Sequence, residues 1–121
     1  MHDHTNTVKN IENMIARARA RYGDKLPLLL VGPTNIRKDA LGPTRLIADQ
    51  REAKVRELGV TFAELANTQH CAFVNLYGGV VPDANLAHDG VHPDAAGNDA
   101  IARVMLPAML QAVTMAKTAA K

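Results

Sequence analysis

Residues 26–31 read Leu-Pro-Leu-Leu-Leu-Val and are followed by Gly32-Pro33, which closes the apolar run. The run is continuous rather than alternating, and this pattern is typical of a strand buried on both faces of a parallel sheet. A second continuous run, residues 71–76, has the same character. Segments with helical periodicity precede, separate and follow these runs, so the sequence predicts the order helix, strand, helix, strand, helix. This alternation indicates an α/β fold with a parallel sheet.

The first two helices are predicted from apolar residues that recur on one face. In the first helix the pattern covers residues 8–22, with Thr7 as the cap and Gly23 as the end. Pro43 suits the first turn of the second helix. Gly59 is expected to divide that second helix into two pieces, because glycine is a poor helix former.

The third helix is predicted to begin near Asp94 or Ala95, to run to about Lys117 and to kink at Pro107. Its inward stripe is expected to consist of apolar residues at helical spacing, namely Ile101, Val104, Met105, Ala108 and Ala112.

Two strands are too few for a self-sufficient sheet, because each leaves one hydrogen-bonding edge bare and the helices have little to pack on. The predicted fold is therefore a three-layer α/β/α sandwich that the chain holds only in part. We interpret residues 1–121 as a single incomplete α/β domain with a flexible start at residues 1–7. The missing strands are expected to come from a missing N-terminal half or from a second copy in a homo-oligomer.

Composition argues against several classes of partner. The net charge is +2 and aromatic residues make up 3% of the chain, so no nucleic acid is expected as a partner. Arg17, Arg19 and Arg21 form the one basic cluster, which we interpret as solvated helix surface, because residues two apart do not share a face. No run is long enough to span a membrane and no signal peptide is visible. The compartment stays unassigned, with the cytoplasm as the default expectation.

The segment with the clearest chemistry is residues 88–94, which read His-Asp-Gly-Val-His-Pro-Asp. A histidine such as His92 is neutral near pH 7 and can act as a general base, and a carboxylate such as Asp89 can fix its tautomer and orientation. Gly90 permits a tight turn that brings the two side chains together, in a loop that follows a strand, where α/β sheets place their sites. The spacing alone is equally compatible with a loop histidine that bonds only backbone.

Three longer stretches carry a more specific signal: D-G-V-H-P-D-A-A-G-N at 89–98, L-L-L-V-G-P-T-N at 28–35 and C-A-F-V-N-L at 71–76. Together they resemble the C-terminal half of the SGNH (GDSL-type) hydrolase and esterase family, over residues 8–110. The resemblance implies a flavodoxin-like parallel sheet, of which this chain holds the last two strands and their flanking helices.

The same resemblance implies a carboxylic ester hydrolase that acts on small acyl or acetyl esters, acetylated sugars included, without a cofactor. Asp89 and His92 would be its catalytic pair, with Asp89 as the orienting carboxylate and His92 as the general base. The family's nucleophilic serine and its oxyanion donors belong to the absent half, and the chain contains no serine. We therefore expect the chain by itself to be inactive, and an ester to be its substrate only when the domain is completed.

Other side chains could supply a nucleophile in place of the serine. Thr34, Thr44 and Cys71 carry possible replacement nucleophiles, although Cys71 is more simply a small core residue at the wrong end of its strand. Thr34 and Asn35 could border a substrate cleft, although turn formation is the plainer interpretation.

A metal site is not expected, because the two groups of possible ligands lie at a floppy terminus and in a loop without helical register. These groups are residues 2–4 and the histidines and aspartate of residues 88–92. The alternative function is a non-catalytic, self-associating module that derives from the same fold.

Overall fold

The computed structural model describes residues 4–37 and 45–118, with the backbone alone for residues 45–48. The order of its elements is helix, strand, helix, strand, helix, as the sequence predicts. The bounds are α1 Thr5–Tyr22, β1 Leu29–Gly32, α2 Arg45–Gln69, β2 Ala72–Asn75 and α3 Ala95–Lys117, with a short 3-10 helix, Asp83–Asn85, between β2 and α3.

The sheet of the described residues has two parallel strands, which confirms a mixed α/β arrangement. Leu29 lies opposite Ala72, and the register continues to Gly32 opposite Asn75. The expectation that β1 is buried on both faces is wrong: Gly32 is buried, but Leu29 to Val31 are only half-buried. In the described part of the chain, what packs on β1 therefore covers it only partly.

Helix α1 begins earlier than the periodicity predicts. Thr5 to Thr7 belong to the helix rather than to a flexible start, and His4, not Thr7, is the N-cap residue. The first turn of a helix needs no apolar residue, because its N–H groups face solvent or a cap, so polar residues there leave no periodic signal. Residues 1–3 lie outside the described part. Gly23 ends the helix as predicted, with φ of 93° and its N–H donating to the Arg19 carbonyl.

Helix α2 is continuous through Gly59, so the predicted division into two pieces is wrong. A Cβ atom at Gly59 would lie 3.2 Å from Asn75 Oδ1, and one at Gly32 would lie 3.0 Å from the same oxygen. The two glycines therefore let the helix backbone approach the ends of both strands. Close packing, rather than helix termination, explains this glycine. The predicted start at Pro43 lies outside the described residues.

Helix α3 begins where the sequence predicts, because Asp94 caps it by accepting a hydrogen bond from Gly97 N at 2.8 Å. Small residues form its most buried stripe: Ala108, Ala112 and Ala116 are buried, and the predicted Ile101, Val104 and Met105 are half-buried. The helix continues through Pro107. It packs chiefly against β2.

A second stripe on α3 is apolar and exposed. Its members recur at helical spacing, and they are Leu106, Met109, Leu110 and Val113. We call these residues the outer stripe of α3. A helix that is apolar on two faces is usually covered on both. No helix in the described part is both long and apolar enough to cross a membrane.

The hydrophobic core joins α1, α2 and the start of β2. Ile15, Ala66 and Cys71 are its buried centre. Partly buried residues from α1, both strands and the position before β1 pack on it, namely Ile11, Leu28, Leu30 and Phe73. Arg17 and Arg21 are exposed, as expected for a solvated helix surface. Arg19 departs from that expectation, because its guanidinium donates to the His70 carbonyl at 3.2 Å and so ties α1 to the chain entering β2.

Candidate functional site

The loop that carries the His and Asp is closed on itself. Its two ends meet in an antiparallel bridge between Leu86 and Pro93. Ala87 N donates to the His92 carbonyl at 2.6 Å, and Gly90 N donates to the Ala87 carbonyl at 2.8 Å. Gly90 has φ of 72°, the left-handed region that glycine adopts without strain. The glycine between the two candidate residues therefore makes the turn that the sequence predicts.

Asp89 uses both carboxylate oxygens to organise this turn. Oδ1 accepts hydrogen bonds from Val91 N at 2.9 Å and from His92 N at 3.0 Å. Oδ2 lies 2.5 Å from His92 Nδ1. The backbone bond from His92, followed by its ring bond and the bond from Val91 N, lowers the pKa of the Asp89 carboxyl well below its usual range. Asp89 is therefore an anion at any pH near neutrality.

The edge of the His92 ring that carries Nε2, opposite the bond to Asp89, is exposed to solvent. The side chain is 78% exposed, and that of Asp89 is 49% exposed. A carboxylate accepts only, so the bond to Asp89 places a proton on Nδ1 and leaves Nε2 with the lone pair of a neutral imidazole. In the described part of the chain no hydroxyl group is hydrogen-bonded to Nε2. The pair thus has the geometry of an oriented base that contacts no nucleophile among the described residues.

A cleft of about 500 Å³ opens beside this loop, at the carboxyl ends of both strands. The loop after β1, the loop after β2 and one residue of α2 line it: Asn35, Ile36, Arg37, Glu52, Tyr77, Gly78, Gly79, Val81, Pro82 and Asp83. Asp89 and His92 are not among the lining residues. Open α/β sheets bind ligands at this end of their strands.

Polar contacts fix the walls of the cleft. Asn35 Nδ2 donates to Asp83 Oδ1 at 3.1 Å, which links the two loops across the cleft. Thr34 does not line the cleft; its hydroxyl donates to Asn35 Oδ1 at 3.3 Å. Of the two cleft residues proposed from the sequence, the structure therefore places only Asn35 on the cleft wall. Tyr77 and Glu52, joined by a 3.0 Å hydrogen bond from the phenol, line it as well.

Arg37 is the residue of this region that sequence reasoning missed. Its backbone N–H donates to the Gly90 carbonyl at 2.9 Å, and its Nη2 donates to the His88 carbonyl, also at 2.9 Å. Both acceptors are backbone atoms of a loop more than 50 residues away. No side-chain pattern marks a partner that is a carbonyl group, so the sequence holds no signal for this contact.

The possible replacement nucleophiles gain little from the structure. Cys71 is buried, and burial raises the pKa of its thiol, although Arg19 nearby acts in the opposite direction. It lies immediately before β2, and the thiol is the less nucleophilic form of cysteine. Thr44 lies outside the described residues. Within residues 4–37 and 45–118, no group of three or more His, Cys, Asp or Glu side chains is placed to share a metal ion.

Comparisons of this chain with protein-family models, with curated proteins and with solved structures found no match. The geometry of the loop and the cleft, together with the sequence motif, therefore carries the functional argument.

Proposed function

We propose that this chain is the C-terminal portion of an SGNH-type carboxylic ester hydrolase and supplies the general base pair, His92 and Asp89. One observation carries the proposal: Asp89 Oδ2 lies 2.5 Å from His92 Nδ1, while the rest of that ring faces solvent. A carboxylate at Nδ1 and an accessible Nε2 are what a serine hydroxyl requires of its base.

The fold supports the same proposal. β1 and β2 are parallel, and Gly59 of α2 packs against the face that carries Gly32 and Asn75. Side chains alternate along a strand, so Leu29, Val31 and Val74 belong to the opposite face. With α2 on one face and α3 packed on β2, we assign the strands to a three-layer, flavodoxin-like sheet as its last two members. The remaining strands would then pair along β1, on the side away from β2.

In the proposed reaction the nucleophile is a serine hydroxyl from outside these 121 residues. Its oxygen attacks the ester carbonyl while its proton passes to His92 Nε2. The tetrahedral intermediate then expels the alcohol, which takes that proton from Nε2. Water repeats both steps on the acyl-enzyme and releases the acid. Throughout, the Asp89 carboxylate, which its lowered pKa keeps ionised, holds the Nδ1 proton and stabilises the imidazolium.

The first prediction concerns the chain alone. Its hydrolysis of an activated acetate ester should be no faster than that by free imidazole at equal concentration, because the nucleophile and the oxyanion donors are absent. A fluorophosphonate should leave no adduct that mass spectrometry detects. Turnover should appear when the chain is completed by a serine-bearing N-terminal half of an SGNH domain, and His92→Ala should abolish it.

His88→Ala is the matched control, because His88 is an exposed histidine of the same loop. Its replacement should leave turnover by the completed domain within about twofold of the parent. Turnover by the pure chain that is lost in His92→Ala would contradict the inactivity and reopen Thr34 or Cys71 as nucleophile. Turnover by the completed domain that survives His92→Ala would refute the assignment of the base.

A second candidate function is a non-catalytic module that self-associates, and the outer stripe of α3 favours it. Leu106 and Leu110 are each 61% exposed, one helical turn apart. Exposed apolar residues at this spacing form a contiguous surface that a second helix can cover. Each strand of the two-stranded sheet also has one edge without a partner strand in the described residues.

The second prediction separates this candidate from a monomer. Sedimentation equilibrium should show a dimer or larger species for the parent chain and a monomer for Leu106→Gln/Leu110→Gln, because the double variant makes the stripe polar. Arg103→Gln, at an exposed position of the same helix, is the control and should behave as the parent. A parent chain that is strictly monomeric at high concentration would rule out the self-associating module.

A further inference from the structure

We propose that Arg37 is a positioning residue for the Asp89–His92 pair. It follows β1 in the chain and donates hydrogen bonds to the carbonyls of the residues on either side of Asp89, His88 and Gly90, each at 2.9 Å. The inference rests on the proposed function only in that it treats the pair as the working base.

The first contact acts through a single peptide unit. The Gly90 carbonyl accepts from Arg37 N, and the N–H of the same peptide, which belongs to Val91, donates to Asp89 Oδ1 at 2.9 Å. Because the peptide is planar, fixing its carbonyl also fixes the direction of its N–H. Hydrogen bonds linked in series polarise one another, so the bond from Arg37 strengthens the one that Asp89 receives.

The second contact fixes the peptide on the other side of Asp89. Arg37 Nη2 donates to the His88 carbonyl, and a guanidinium gives a charge-assisted bond, which is stronger than a neutral one. Arg37 thus holds the His88–Asp89 and Gly90–Val91 peptides, and the peptide between them is held by Gly90 N, which donates to the Ala87 carbonyl. The direction of Oδ2 toward His92 Nδ1 is then set from outside the loop.

Arg37 also lines the cleft, whereas Asp89 and His92 do not. Arg37 therefore borders the cleft and also donates to the two loop carbonyls, those of His88 and Gly90. This placement makes Arg37 the physical connection between the cleft and the base.

The test uses the full chain with Arg37→Ala, Arg37→Lys and the control Arg17→Ala, which changes an exposed arginine of α1. Two signals report the position of the pair: solvent exchange of the Val91 and His92 amide protons, and the ¹⁵N shifts of the His92 ring. Arg37→Ala removes the Nη2 bond to the His88 carbonyl, whereas the backbone N–H of residue 37 still donates to the Gly90 carbonyl. Because loss of the Nη2 bond frees the His88–Asp89 peptide to turn, we expect exchange of both amides to accelerate by about tenfold or more and the ring proton to leave Nδ1 in part. Arg37→Lys should restore part of both signals, and Arg17→Ala should change neither.

Two results would overturn the proposal. One is that Arg37→Ala leaves both the exchange of the Val91 and His92 amide protons and the ¹⁵N shifts of the His92 ring unchanged. The other is that amide exchange accelerates in α2 as much as in the loop and that Arg37→Lys does not reverse it. That result would show that Arg37 supports the fold in general rather than the Asp89–His92 pair. Neither readout involves ester turnover. The chain can therefore retain the Arg37 effect while the completed domain fails to hydrolyse esters, and the two proposals fail separately.

Discussion

Replacing Asp89 with Asn should move the ring proton of His92 from Nδ1 to Nε2. Asparagine keeps an oxygen where Asp89 Oδ1 accepts from Val91 N and His92 N, so the turn should survive. Its amide nitrogen then occupies the place of Oδ2, and this nitrogen donates rather than accepts. The ring must therefore present the Nδ1 lone pair to it. Nε2 would carry the proton and could no longer accept one from a hydroxyl.

The size of this effect depends on the readout. In the chain alone, ¹⁵N shifts of the ring should report nearly complete exchange of the two nitrogen environments. In the completed domain, a base held in the wrong tautomer should cost about 10⁴-fold in kcat. Asp99→Asn, at an exposed position of α3, is the control and should alter neither. A ring that keeps its proton on Nδ1 in Asp89→Asn would mean that the carboxylate does not set the tautomer.

The lowered pKa of Asp89 also predicts how the bond between Asp89 and His92 Nδ1 responds to pH in the parent chain. A carboxyl whose pKa is lowered in the folded state stabilises that state above its unfolded pKa of about 3.9. The stabilisation is lost only as the pH falls through the lower, folded value. The Nδ1 bond of the parent should therefore persist as the pH is lowered through the ordinary range of an aspartyl carboxyl. In Asp89→Asn, residue 89 has no carboxyl group to titrate and should therefore cause no change in the ring ¹⁵N shifts over that range.

The Asp89–His92 pair was open to prediction because everything that forms it is local. His92 is the third residue after Asp89, and the turn between them needs only Gly90 in the left-handed region. The Arg37 contacts were not open to prediction, because their acceptors are carbonyls whose positions depend on the whole fold. Local chemistry leaves a motif in the sequence, whereas a contact with distant backbone does not.

The same contrast between local patterns and distant contacts applies to the helices and strands. Apolar runs and helical periodicity predict the order of the elements, since these patterns are local. The parallel pairing follows from that order, because a helix between two strands is the usual parallel crossover. The burial of β1 and the continuity of α2 depend on what packs against them. Gly59 has the composition of a helix breaker, and only its distance from Asn75 shows that it serves close packing instead.

Gly97→Ala should destabilise the chain, although alanine is the better helix former. Gly97 lies in the first turn of α3, and a Cβ atom there would be 2.7 Å from the Asn85 carbonyl oxygen. The same Cβ would be 3.0 Å from Pro93 Cβ and 3.0 Å from Cγ1 of Val81, which is fully buried. A backbone oxygen and two packed side chains leave the methyl group no direction in which to relax.

Gly97→Ala combines a gain in helix propensity with a cost of overpacking, and their relative sizes decide whether the free energy of unfolding rises or falls. Alanine in place of glycine favours a helix by about 1 kcal/mol, and overpacking costs about 1–3 kcal/mol. With one contact against backbone below 3.0 Å, we expect the upper part of that cost and a net loss of about 1–2 kcal/mol. The unfolding midpoint should fall by about 4 °C or more.

The Asn85 carbonyl oxygen, which the added methyl group would displace, connects Gly97→Ala to the loop of His92. The Asn85 carbonyl accepts from Asp94 N at 2.8 Å, and that bond lies next to the Leu86–Pro93 bridge that closes the loop of His92. Gly97→Ala should therefore also weaken the Nδ1 bond of His92, as read from the ring ¹⁵N shifts. Asn98→Ala changes the next, exposed residue and should leave stability the same or slightly higher. If Gly97→Ala were as stable as Asn98→Ala, the start of α3 would not be packed against this loop, and the loop would need another source of its rigidity.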